Sequence, residues 1–166
     1  MLAVLVLCAA GAHGQSAPQS EPQAKTLNLS VYAELLRSDV RAQKVAILTE
    51  VMGFTESEDS AFWPIYREYD LAMAKLGDER VALIGEYATS YAQLTDATAD
   101  RLAARALDLE ARRQALKAKC YEQVKTALSP RTAMRFLQVE HQLLLLIDLQ
   151  IAAVLPIAPT TTNGGR

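Results

Sequence analysis

The stretch TESEDSAFWPIYREYDLAMAKLGDERVALIGEYATSYAQL, residues 55–94, decides the fold. Its Phe62, Trp63, Ile65, Tyr66, Tyr69, Met73, Leu76, Leu83, Tyr87 and Tyr91 recur at three- and four-residue steps, so they share a stripe on one long helix. Thr55-Glu56-Ser57-Glu58 opens it as a capping box. The Thr55 side chain accepts from the Glu58 N–H and the Glu58 carboxylate reaches back to Thr55. Pro64 lies too far in to be a first helical residue, which predicts a kink or a short preceding turn. Gly77 and Gly85 each weaken the helix by about 1 kcal/mol relative to Ala. The helix should reach Tyr91 or Leu94. Neighbours such as Phe62 and Trp63 sit about 100° apart, so one of them must face something other than the core. Phe62, Trp63 and Tyr66 are therefore the candidate partner-binding residues.

Upstream, a first helix is expected from Leu29 to Met52, capped by Asn28 or Ser30 and ended by Gly53 in a left-handed conformation. Tyr32, Leu36, Val40, Ile47, Leu48 and Val51 make its apolar stripe, and Asp39, Arg41 and Lys44 a solvated face. Downstream, Thr95-Asp96 caps a third helix whose seam is Leu102, Ala106, Leu109, Leu116, Cys120 and Val124. Its remaining face is basic, with Arg101, Arg105, Arg112, Arg113, Lys117 and Lys119. That run reads as a solvated face, or else as a weakly cationic surface for a partner or anionic lipid. Ser129-Pro130 then supplies an N-cap and a first helical residue for a fourth helix running to about Val154. Its run Leu143 to Ile147 is apolar on every side. Such a helix is either innermost in a bundle or part of a subunit interface; the interface reading is favoured, with Leu143, Leu144, Leu146 and Ile147 as contacts. No strand pattern occurs. The expected fold is all-α: long antiparallel helices in a hairpin or four-helix arrangement, dimeric.

The chain has 166 residues, 51% hydrophobic and 22% charged with net charge −2, which describes a folded domain and disfavours a nucleic-acid partner. Residues 1–14 read as an export signal cleaved near Gly14, with an apolar run, Leu2 to Leu7, too short to span a membrane. A short buried helix, or a lipoprotein box at Leu5-Val6-Leu7-Cys8, are the alternatives. Residues 15–27 form a polar linker, 28–155 the helical domain and 156–166 a flexible tail. Beyond the leader only Cys120 remains, so no internal disulfide framework exists.

Catalytic constellations are not found. Beyond the leader, which holds His13, the one histidine is His141, which would have to serve any triad, and Cys120 lies on an apolar seam that favours an inert thiol. There is no Gly-rich phosphate loop and no paired-cysteine zinc spacing. No cofactor is expected. A metal or redox site is the alternative: His141, Met134 and Cys120 could converge if the third and fourth helices pack in a suitable register.

Leu128-Ser129-Pro130-Arg131-Thr132 and Phe54-Thr55-Glu56-Ser57-Glu58 resemble the LTxxQ motif at helix openings, with Ser129 for Thr and Thr132 for Gln in the first, Phe54 for Leu and Glu58 for Gln in the second. With the plan of signal, linker and long helices, the chain resembles the Spy/CpxP-like exported helical proteins. Phe62-Trp63-Pro64-Ile65-Tyr66-Arg67-Glu68-Tyr69 and Leu149-Gln150-Ile151-Ala152-Ala153 are similar to stretches in uncharacterised bacterial proteins of that plan. The resemblance implies a periplasmic, ATP-independent helical hairpin, often dimeric, that binds unfolded proteins or serves envelope-stress sensing; some relatives sense metals. A structural coiled-coil subunit of an envelope assembly is a further reading.

Overall fold

The computed structural model describes residues 39–153 and 155–160. The expected signal segment, the linker, the start of the first helix with Asn28, Ser30, Tyr32 and Leu36, and the tail beyond Thr160 lie outside the described residues. Within them the chain is all-α, with four helices and no strand: α1 Asp39–Met52, α2 Glu56–Ser90, α3 Asp96–Ala127 and α4 Pro130–Ala152. A 3-10 turn, Tyr91–Gln93, extends α2.

The helix ends follow the local chemistry of the sequence. Gly53 stops α1 at φ +57°, where only a residue without Cβ is unstrained. Thr55 accepts from the Glu58 N–H at 3.4 Å and donates its own N–H to the Glu58 carboxylate at 3.0 Å. Hydrogen bonds from the Thr55 backbone and hydroxyl hold that carboxyl below its usual range. Thr95 caps α3 by accepting from Thr98, and Ser129 caps α4 by accepting from Thr132, with Pro130 in the first turn. The helix α2 continues through Pro64 for 35 residues, about 50 Å, so the turn expected before Pro64 does not form. Pro64 and Ser60 are both exposed, which leaves water able to satisfy the carbonyl that proline orphans.

Pairs between α2 and α3 run in opposite order. Glu79 meets Arg112, and the later Glu86 meets the earlier Arg105 and Arg101. The two helices form a hairpin, α4 packs along α3, and α1 packs on α4. At the end near the chain's described start, Phe62, Tyr66 and Tyr69 of α2 close on Phe136 of α4 with Leu48, Met52, Cys120, Val124 and Ala133. Phe136 sits edge-on to all three rings, at 5.4, 6.2 and 6.0 Å. The other end is thinner: Leu76 and Leu83 meet Leu102 and Leu109, and Ile84 meets Ile151.

One expectation for α1 is corrected. Ile47 and Val51 are exposed, while Leu48 and Met52 are buried. Lys44 shares their four-residue spacing and is buried too, not solvated.

Candidate functional site

Lys44 is 5% exposed and Glu140 0%. The Lys44 ammonium donates to Glu140 Oε1 at 2.8 Å, and the Tyr69 hydroxyl donates to the same oxygen at 2.8 Å. The ammonium also lies 5.9 Å from the Tyr66 ring centroid. Glu140 Oε2 has no hydrogen-bond partner among the described residues. Burial, then the Glu140 charge, push the Tyr69 hydroxyl well above its ordinary range. The same two causes raise the neighbouring Cys120 thiol to about 12, with Lys44 working against them. The cluster is thus an ion pair that pins α1 to α4 and to α2. The Tyr69 hydroxyl and the Cys120 thiol stay protonated at neutral pH, and a cavity of about 100 Å³ that Lys44 helps to line adjoins the pair. The sequence does not show the pair, because Lys44 and Glu140 lie 96 residues apart. The available signal was position: Lys44 falls on the Leu48/Met52 face, and Glu140 on the Phe136/Leu144 face.

The basic face of α3 is also largely spent inside the fold. Arg101 and Arg105 converge on Glu86, Arg112 makes a two-pronged pair with Glu79 at 2.6 and 2.8 Å, and Arg113 reaches Asp148 at 2.7 Å. Arg80 donates to Asp148 as well, at 2.6 Å. Burial works against the Asp148 charge, but the bonds from Arg113 and Arg80 outweigh it and lower its carboxyl. The four arginines of that face are thus each paired with a carboxylate.

Phe62 and Tyr66 are core, enclosed by Phe136, which corrects their reading as contact residues. Trp63 is half-buried, packed edge-on against Phe62, with its indole N–H on Asp59 at 2.6 Å. The metal alternative loses its geometry: Cys120 lies in the core, whereas Met134 and His141 are on the surface. Among the described residues no group of three or more His, Cys, Asp or Glu side chains could hold a metal ion. No helix among them is long and apolar enough to cross a membrane.

The run Leu143 to Ile147 is divided. Leu144 is buried, Leu143 packs on the aromatic core and Ile147 on the Ile84/Ile151 pair. Of the four residues expected at an interface, only Leu146 faces out. The reason is that α4 touches α3 and α1 and reaches α2, so its buried arc is wide. What remains outside is a face of Leu145, Leu146 and Leu149, 57, 60 and 65% exposed, with Met134 about three turns before Leu145. Leu145 and Leu149 are one turn apart, and Leu146 flanks them. The sequence named Leu146 but not Leu145 or Leu149. The missing information was which arc of the helix the other three cover. No family model, curated protein or solved structure matches the chain.

Proposed function

We propose that the protein is a non-catalytic, ATP-independent binding protein for apolar segments of other polypeptides, and that Leu145, Leu146 and Leu149 on α4 are its contact face. The supporting observation is that three large apolar side chains, each more than half exposed, adjoin one another on a helix otherwise well packed. The buried Lys44–Glu140 pair and the arginine–carboxylate pairs supply a rigid frame, and flanking Gln142 and Gln150 keep the face wettable. The signal-like leader and the resemblance to Spy/CpxP-like proteins point the same way, toward an exported chaperone-like or envelope-stress accessory protein. A face of three leucines, with Leu144 and Ile147 already used internally, suits reversible contact better than a stable dimer, which buries about 800 Å² per partner.

Burying each leucine further is worth about 1 kcal/mol or more. Leu145→Ser/Leu149→Ser should therefore weaken binding of a reduced, unfolded model protein at least tenfold and abolish suppression of its aggregation, with the melting temperature little changed. Undiminished suppression by that variant rules the face out. Light scattering over a dilution series separates client binding from self-association through the same leucines.

A further inference from the structure

Of the tail expected from sequence over residues 156–166, the described part, 156–160, lies against the hairpin. Tyr87 donates its hydroxyl to the Pro156 carbonyl at 2.8 Å, and Tyr91 donates to the Ile157 carbonyl at 3.1 Å. Leu155 packs against Ile84 and Ile151, Ala158 lines the groove between α2 and α3, and Ile157 between them is 89% exposed. The Leu155 N–H closes on the Ile151 carbonyl at 3.2 Å, and residues 156–160 continue without helix. Pro156 and Pro159 fix φ near the value of an extended, polyproline-like chain and have no N–H to donate. Such a chain presents carbonyls, and two tyrosines one helical turn apart present donors. A helical occupant would use its carbonyls internally and leave those donors unmatched. The groove is also larger than its resident. A volume of about 490 Å³ remains beside the segment, lined from α3 by Ala99, Leu102, Ala103 and Ala106 and from α2 by Leu83 and Tyr87.

We infer that this end of the hairpin is a recognition groove for an extended, proline-containing apolar segment of another polypeptide, with Leu155–Pro159 as its built-in competitor. Aromatic-walled grooves that take preformed extended segments at low entropic cost are a recurrent recognition mode. The resident is tethered a few residues from α4, which gives it an effective concentration in the millimolar range. An outside segment has to displace it. This surface is separate from the leucine face of α4 and does not depend on it.

The test is fluorescence anisotropy with a labelled peptide Leu-Pro-Ile-Ala-Pro-Thr, the sequence of residues 155–160, against the full chain. Leu155→Ser/Ala158→Asp releases the resident without altering the helices of the groove. This variant should bind the peptide at least tenfold more tightly than the unaltered chain, and adding Ala103→Phe should remove the gain. Should Leu155→Ser disturb folding, Pro156→Gly/Pro159→Gly is a second releasing variant at two exposed positions, with the same expectation. Absence of peptide binding by a folded, released variant overturns the inference, as does binding that ignores Ala103→Phe. Exchange of the segment between two copies, seen as a dimer that the peptide does not dissociate, overturns it as well.

Discussion

Replacing Lys44 by Met should be among the most costly single changes in the chain. The Lys44 ammonium and the Glu140 carboxylate are both within the core, 2.8 Å apart. Met keeps most of the side-chain volume and removes the charge. Glu140 then holds one hydrogen bond, from Tyr69, and has no cation to offset its desolvation. Removing one partner of such a pair costs about 3–5 kcal/mol, out of a total stability of about 5–15 kcal/mol for an ordinary domain. With a urea m-value of about 2 kcal/mol/M, the unfolding midpoint should fall by roughly 2 M. Glu140→Leu alone should also destabilise, by orphaning the ammonium. The double change Lys44→Met/Glu140→Leu should recover part of the loss, because two apolar groups replace a pair that gains little net energy, less about 1–3 kcal/mol for the buried Tyr69 hydroxyl that loses its acceptor. The assay is urea unfolding followed by far-ultraviolet circular dichroism for all four proteins. A loss below about 1 kcal/mol for Lys44→Met would refute the reasoning, since it is the value of a solvated pair. So would a double variant whose loss is the sum of the singles.

Other expectations are smaller. Cys120, raised to about 12 mainly by burial, should react with an aromatic disulfide reagent at pH 8 only after unfolding; rapid stoichiometric labelling of the native chain contradicts its placement. Asp148 has a depressed carboxyl, so its contribution is present above the unfolded value near 3.8 and is lost as pH falls through the folded value. Asp148→Asn should cost about 1 kcal/mol at pH 7, discounted for partial exposure, and should flatten the loss of stability below about pH 4. An unchanged acid limb would show that its arginine bonds are not formed. Gly53→Ala should cost about 1–2 kcal/mol through the left-handed backbone alone, because an added Cβ meets nothing within 4 Å. Gly53→Asn should cost less, and equal costs would point to a steric cause instead.

Much of the fold was legible because it is written in local chemistry. The capping box at Thr55, the left-handed Gly53, the Thr95 cap and the Ser129-Pro130 start all stand where the sequence places them. They depend on neighbours within four residues. The long stripe of α2 was legible for the same reason, since Phe62, Tyr66, Tyr69, Leu76 and Leu83 keep a helical period and are buried. The candidate site was only half legible. Whether Phe62 or Leu145 faces outward depends on which arcs of α2 and α4 are covered, and that is a matter of pairing between residues 60 to 100 positions apart. Lys44 and Glu140 are 96 apart, and neither shows its partner in the sequence around it. Pro156 to Ala158 reads as a loose tail in sequence because its restraints are two tyrosines nearly 70 residues earlier.

The most direct measurement is site-specific photo-crosslinking to an unfolded client. A photoreactive side chain is placed at Leu145, at Leu149 and, as a control, at Leu107, a leucine 72% exposed on α3. Capture of a reduced, unfolded model protein at 145 and 149, with little at 107, is the expected result. Equal capture at all three positions, or none at 145 and 149, would contradict a binding face on α4.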